Sequence, residues 1–460
     1  MNQNFRGTGM LDDHSYDFGR AKKQEPKTVI CPTSIDAIKE ALRGPEADIA
    51  IRGRAHCTGG QSLTAGGTVI DMKRYSKIGE ITEREGIGHI VEVQAGASWK
   101  DVFNYCLGRG LIPPVYADWL DLTVGGTVST GGVGQCSFKK GLQADNVIAL
   151  EVVTGMGEVL YCDGDENQFL FNLVRGGLGQ YGVISRAWVK LETAPKMVAV
   201  HKLLYTDLHQ YLAAQTKLTE FEKIDGIQSH IVVSEKEELR RRMATDLPED
   251  IYNALTERLY IVEVMQYSCE SSDDFMRFLD ENLDIQPRYT HSYEMDFWQH
   301  ANRVPPLLEH PLEQGAPKHH HCCFFIGASR ASELLAYVFS QTGHEQAMGK
   351  GTILVVPLKR SLIKAPYIVL PGEEDQFFVG ILRRHLEPCE FNELIRLNES
   401  TYQKILEQGG AIYPVGSGGF LEDPVFWRRH YGNMYKEIVE GKMKYDLRLS
   451  PNVNLIARKK

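Results

Sequence analysis

Between Ile51 and Asp71 the chain reads IRGRAHCTGGQSLTAGGTVID, placing five glycines, two arginines, a His-Cys pair and a Gln-Ser pair between two apolar runs. Glycine lets backbone N–H groups approach a ligand with no Cβ in the way. Successive N–H groups in such a loop make a concavity that holds anions. Arg52 and Arg54 add positive charge, and His56 sets one nucleophilic side chain inside the cradle. A diphosphate suits this chemistry. The alternative for the stretch alone is a glycine-rich hairpin loop with no ligand.

The elements around the loop follow from local patterning. Thr28–Cys31 is a short extended run stopped by Pro32. Thr33 or Ser34 can cap a helix reaching Gly44, with Ile35, Ile38, Ala41 and Leu42 on one face. Ile90–Val93 alternates as a strand, and Trp99–Arg109 follows as an amphipathic helix ended by Gly110. A second glycine block, Leu122–Gly134 (LTVGGTVSTGGVG), leads into the hairpin Val147–Thr154 and Val159–Cys162. Phe169–Val174 reads as helix and Val183–Leu191 as the last strand of this half. Ala194–Pro195 marks a boundary. Beyond it the glycine blocks vanish, and helices mix with strands such as Tyr260–Tyr267 and Cys322–Gly327. Leu397–Gln408 reads as a helix, and after Gly409 the tail regains glycine and aromatic residues, as expected of a segment packing back on the first half.

Composition narrows the function classes. A chain of 460 residues, 43% apolar and 24% charged, can bury a large core in two domains sharing a cleft. The net charge of −9, with no basic stripe interleaved with aromatics, argues against nucleic acid as partner. Runs such as Arg240–Arg242 and Arg458–Lys460 read as solvated surface. The polar N-terminus shows no signal peptide, and no run of 18 apolar residues spans a membrane, so a cytoplasmic location is expected. Nine scattered cysteines read as reduced thiols.

Three motifs fail on inspection. Gly177–Gly182 (GLGQYG) matches G-x-G-x-x-G, yet a helix precedes it and a β-branched run follows, the reverse of a dinucleotide fingerprint. Gly343–Thr352 has the wrong spacing for a phosphate-binding P-loop, and Gly351 stands where Ser or Thr is required. The cluster His319–Cys323 sits on a strand whose successive residues face opposite ways. It has no second ligand pair at zinc spacing, so it reads as structural or pocket-lining, and no metal site is expected.

Several longer motifs occur together in order: GRAHCTGGQ (Gly53–Gln61), ADWLDLTVGGT (Ala117–Thr127), TGMGE (Thr154–Glu158) and GGLGQYGVISRA (Gly176–Ala187). With them the chain resembles the FAD-binding half of the vanillyl-alcohol-oxidase-type flavoproteins, and most closely the cytokinin dehydrogenases. The fit is good over about residues 15–195 and loose over 196–410. The tail Trp427–Pro451 recovers a flavin-contact segment. The resemblance implies an α+β protein with a PCMH-type, two-subdomain FAD-binding domain and an inserted α+β substrate domain. Residues 1–195 would form the FAD domain, 196–409 the cap, and 410–460 would return to the FAD domain.

The resemblance also implies residue roles. His56 stands where the family histidine bonds to the flavin 8α carbon. Ile51, Gly53, Arg54, Ala55, Cys57, Gln61 and Ser62 would line the cofactor, with Thr123, Ser129, Val133, Ile184 and Tyr413 closing round it. Asp118 matches the acid that accepts the proton from the substrate nitrogen. In a dry pocket its pKa rises and it becomes a better base.

Three positions depart from the pattern. Cys57 replaces the usual serine. A second covalent link in related oxidases comes from the loop before T-V-G-G, which here holds Leu120–Leu122 and no cysteine, so a single link through His56 is expected. The family acid that helps hold the substrate amine falls near Gln228, which cannot ionise. The tail reads Ser450–Asn454 and lacks the expected glutamine. Flavin chemistry is untouched by these changes, whereas cytokinin is not thereby fixed as the substrate. The expected activity is flavin-dependent oxidation of a small molecule at a C–N bond, with O₂ or a quinone as electron acceptor. The alternatives are an alcohol, sugar or natural-product oxidase on the same scaffold, or a flavin-binding protein without catalysis. Retention of both His56 and Asp118 speaks against the last.

Overall fold

The computed structural model describes residues 13–20, 22–44, 48–233, 236–253, 258–267, 272–304, 318–341, 351–385, 391–445, 448 and 452–456. The P-loop-like segment 343–350, the basic residues Arg458–Lys460, and Ser450 and Pro451 lie outside them.

The N-terminal half carries two sheets. In the first, β1 (Thr28–Ile30), β3 (Thr68–Asp71) and β2 (Ile49–Arg52) run parallel in the order β1-β3-β2. Ile51 pairs with Ile70 and Arg52 with Asp71. Residues 53–67 are therefore the crossover between parallel neighbours, a connection usually made by a helix. The hairpin alternative fails because the flanking strands do not run antiparallel. Ser34 caps the helix Ile35–Arg43 by accepting from the Ala37 N–H, and Ala37, Ile38, Ala41 and Leu42 are its buried residues.

The second sheet is antiparallel, in the order β4-β5-β9-β7-β8: β4 (Ile78–Arg84), β5 (Gly88–Gln94), β9 (Val183–Lys190), β7 (Val147–Val153) and β8 (Val159–Asp163). The helix Trp99–Leu107 stops earlier than read from sequence. Its last turns tighten, with Arg109 N–H on Cys106 and Gly110 N–H on Leu107, before Gly110 takes φ +73°. The second glycine block contains a short helix, Val124–Val128, that patterning did not suggest. Gly177–Gly182 follows the helix Gln168–Val174 and precedes β9, the order inferred above. A two-stranded ribbon, β6 (Leu111–Ile112) with β10 (Glu192–Thr193), closes this half.

From β11 (Met197–Tyr205) onward the strands build one large sheet in the order β14-β11-β13-β12-β16-β17-β15-β18. The others are β12 (Gly226–Val233), β13 (Arg258–Gln266), β14 (Tyr289–Asp296), β15 (Lys318–Gly327), β16 (Thr352–Lys359), β17 (Asp375–His385) and β18 (Ala411–Ile412). Each is antiparallel to its neighbours. The helices Leu208–Leu218, Ala328–Gln341 and Phe391–Glu407 supply residues to the core on one face, with Tyr211, Leu335 and Ile405 buried there.

The tail starts in the large sheet, where β18 pairs with β15, and later residues contact the first half. Arg448 donates to the carbonyls of Leu42 (2.6 Å) and Gly155 (2.8 Å), and Asn452 to those of Gly60 (2.7 Å) and Leu63 (2.8 Å). No described helix is long and apolar enough to cross a membrane.

Candidate active site

The two glycine blocks meet at one cavity of about 360 Å³. The residues expected to line the cofactor open onto it: Ile51, Gly53, Arg54, Ala55, His56, Cys57, Gln61 and Ser62 from the first loop, and Thr123, Ser129 and Val133 from the second. Asp118 lies just before the second loop, and Ile184 and Tyr413 close the ring. A Cβ on Gly53 would stand 2.2 Å from the Thr123 hydroxyl, so only glycine lets the loops approach this closely.

The backbone is forced beside His56. Ala55 takes φ +52°, a conformation that L residues with a Cβ seldom adopt and that clusters at functional sites. Gln61 is pinned at both ends of its amide: its oxygen accepts from Gly59 N–H (2.9 Å), and its nitrogen donates to the carbonyls of Pro414 (3.0 Å) and Gly416 (3.3 Å). Tail and loop thus hold each other.

His56 sits among aromatic rings, 4.2 Å from Phe18 and 4.3 Å from Trp119 between centroids. Burial, reinforced by His319, lowers its pKa to about 3, so the imidazole is neutral at physiological pH and keeps a nucleophilic lone pair. Its Nδ1 is buried and has no hydrogen-bond partner, and neither does the Ser62 hydroxyl. Two orphaned polar atoms on one cavity wall want a ligand, since buried polar groups are otherwise paired. With the glycine loop they fit a polar, extended cofactor such as FAD. Cys57 is different: burial and then the Asp17 charge push its thiol up to about 12, so it stays protonated and unreactive.

Arg52 departs from the role given to it above. Strand residues alternate in direction, so Ile51 faces the cavity while Arg52, 3% exposed, points behind it. There it donates to the Asp13 carbonyl (3.2 Å), near Asp71 and Asp17. Arg54 does reach the cavity, and its Nε donates to the Asp121 carbonyl (2.9 Å).

Opposite the glycine loops, the large sheet supplies an apolar wall that sequence reading did not find. Leu354, Gly380 and Cys323 fall on one cross-strand row, and Leu382 pairs with His321. Gly380 lacks a side chain at the centre, so Leu354, Phe378, Leu382 and Cys323 can border open space. The signal was present as alternation along β17, but which face met the cavity depended on register. Of the cluster His319–Cys323, His321 and Cys323 line the cavity, and His319 packs 4.1 Å from Phe18.

Asp118 lies between Tyr116 and Trp119. Burial pushes its carboxyl up, while the Arg303 guanidinium and a hydrogen bond from Gln228 pull it back. The Gln228 amide donates to Asp118 Oδ2, which places Gln228 beside Asp118. The carbonyl of the same amide accepts from Arg303 (2.9 Å), which also pairs with Glu263 (3.1 Å). Neither Arg303 nor Glu263 was singled out from sequence.

The chain is similar to known proteins over most of its length. Residues 26–163 match a family described as an FAD binding domain, and residues 195–452 match one described as cytokinin dehydrogenase 1, FAD and cytokinin binding. An oxidoreductase from the fasciation locus of Rhodococcoides fascians is 32% identical over 94% of this chain and 93% of its own length. Cytokinin dehydrogenase 10 of Oryza sativa subsp. japonica is 31% identical over 95% and 85%. Among solved structures, 6-hydroxy-D-nicotine oxidase from Arthrobacter nicotinovorans superposes with a TM-score of 0.69 at 17% identity, covering 98% of this chain and 97% of its own. Xylooligosaccharide oxidase from Myceliophthora thermophila C1 gives 0.74 at 14% identity, covering 96% and 94%. At such identities these structures share the fold with this chain.

Proposed function

The chain belongs to the cytokinin dehydrogenase family of FAD-dependent oxidoreductases, and from that premise we propose that it oxidises a small molecule at a C–N bond, with the flavin bonded to His56. Bound FAD supplies the acceptor for the substrate hydride. The rest falls to side chains. His56, neutral and with Nδ1 unpartnered, anchors the cofactor, and Ser62 with the glycine loop cradles it. Asp118 takes the proton from the substrate nitrogen. Tyr116 and Trp119 exclude water around it, which strengthens the base.

One observation carries this reading: His56 and Asp118 open onto the same cavity, a distance along the chain apart yet on adjoining loops. The wall of Leu354, Phe378 and Leu382 supports a substrate with an apolar tail over an oligosaccharide, whose hydroxyls would be left unpaired there. A small amphiphilic alcohol is the second reading, because Gln228 in place of an acid leaves Asp118 as the carboxylate next to the substrate. Either O₂ or a quinone serves as acceptor in this proposal. The described cysteines are free thiols, which supports a reducing compartment such as the cytoplasm.

The test is anaerobic mixing of holoenzyme with amines and alcohols while flavin absorbance is followed. Loss of a general base costs about 10²–10⁴ in rate. Asp118→Asn should therefore bind FAD normally and bleach that much more slowly. Bleaching within a few-fold of the natural protein would reduce Asp118 to a turn residue and remove the main support for amine oxidation.

A further inference from the structure

We propose that Arg303, acting through the Gln228 amide, is the positioning residue that holds Asp118 as an ionised acceptor with one oxygen left for the substrate; this rests on the reading of Asp118 as the base. Gln228 on β12 and Glu263 on β13 are direct cross-strand partners, so their side chains share a face. Arg303, just past the helix Phe297–Ala301, reaches both: its Nη2 lies 2.9 Å from Gln228 Oε1 and 3.1 Å from Glu263 Oε1. Its Nη1 donates to the His300 carbonyl (2.9 Å), which fixes the fork.

The two ends of a glutamine amide are nearly the same shape, and only the neighbours decide which way it points. Here they leave no choice. A guanidinium has donors and no acceptor, so the amide oxygen must face Arg303. The NH₂ then faces Asp118 and donates to Oδ2. A donor aimed at that oxygen favours the carboxylate over the acid. An acid at position 228 could not donate when ionised and would compete for the same proton.

Burial pushes the Asp118 carboxyl above its ordinary value, and Glu263 adds to this, while Arg303, the Gln228 hydrogen bond and Arg242 pull it back. Glu263 is itself engaged by Lys202 (3.3 Å) as well as Arg303. Burial would raise Glu263, but the Lys202 and Arg303 cations hold it well below the usual carboxylate range. His230 and His300 are kept neutral, chiefly by burial, and burial likewise keeps Tyr116 and Tyr267 as phenols.

The test compares Gln228→Met, which keeps length but cannot donate, with Arg303→Lys, which keeps the charge but cannot hold Gln228 and Glu263 together. Two measurements on holoenzyme are made. One is infrared titration of the carboxylic C=O band that Asp118→Asn abolishes. The other is the acid limb of anaerobic flavin reduction. Both variants should move the titration and the acid limb upward by about one pH unit, with flavin content unchanged. A purely structural role would lower flavin content or thermal stability and leave the titration in place. An unmoved titration in either variant that carries its full flavin overturns the proposal, and Arg303→Lys alone decides it if Gln228→Met fails to fold. If Asp118→Asn reduces its flavin at the natural rate, the base reading fails instead, while the infrared shift still reports whether Arg303 and Gln228 control the carboxyl.

Discussion

Gly53 and Thr123 touch across the two glycine loops so closely that a methyl group on the glycine would stand 2.2 Å from the threonine hydroxyl. This contact joins the crossover after β2 to the start of the helix Val124–Val128 and sets the spacing of the cavity walls. Gly53→Ala should push the loops apart, costing about 1–3 kcal/mol by overpacking. The variant should be purified with a lower flavin-to-protein absorbance ratio than the natural protein. Full flavin content would mean that the loops can shift freely and that their contact does not shape the cradle.

His56 is expected to keep the flavin attached through denaturation. Acid precipitation should give a yellow pellet, and His56→Ala should release the colour to the supernatant. With a pKa near 3, the imidazole is neutral from pH 5 to 8, so attachment should show no pH dependence from this group in that window. Colourless pellets from fully flavinated natural protein would end the covalent assignment.

Cys57 should prove a bystander. Its protonated thiol, pushed up to about 12, is a poor nucleophile. Cys57→Ser should retain the covalent flavin and most of the turnover. Loss of the flavin bond in this variant, with His56 intact, would identify the thiol as the anchor.

Asp17 should make thermal stability fall with rising pH. It is fully buried, accepts from the Gly60 N–H (2.6 Å), and burial raises its pKa from 3.8 to about 6. A carboxyl whose folded pKa exceeds its unfolded value contributes its full stability below about pH 4, and this is lost as pH rises through 6. The contribution is on the order of 3 kcal/mol. The melting temperature of the natural protein relative to Asp17→Asn should therefore decline between pH 4 and 7. A constant difference would show that Asp17 does not titrate there.

What the sequence revealed and what it hid follow from chain distance. His56, Gln61, Asp118 and Thr123 were legible because each belongs to a contiguous motif whose chemistry is local. Arg52 was misplaced because a positive charge in a motif says nothing about which face of a strand carries it. The alternation of β2 turned Ile51 in and Arg52 away. Gln228 was matched to the position of the family acid that holds the substrate amine, but its partners were not legible. Arg303 reaches it only because β12 and β13 pair with Gln228 opposite Glu263, a register set by the whole sheet. The apolar wall was hidden for the same reason. Leu354 and Cys323, which line the cavity, come together only through their shared cross-strand partner Gly380.

The way the tail fastens the first glycine loop has a consequence for biosynthesis. Gln61 is held by the carbonyls of Pro414 and Gly416, Thr58 N–H by Val415, and Gly60 by Asn452. Gln61 precedes Pro414 by 353 residues and Gly416 by 355, so a ribosome emits the loop well ahead of the groups that lock it. A nascent N-terminal half therefore lacks these fastenings, and the loop can be locked only after the segment from Pro414 onward has emerged.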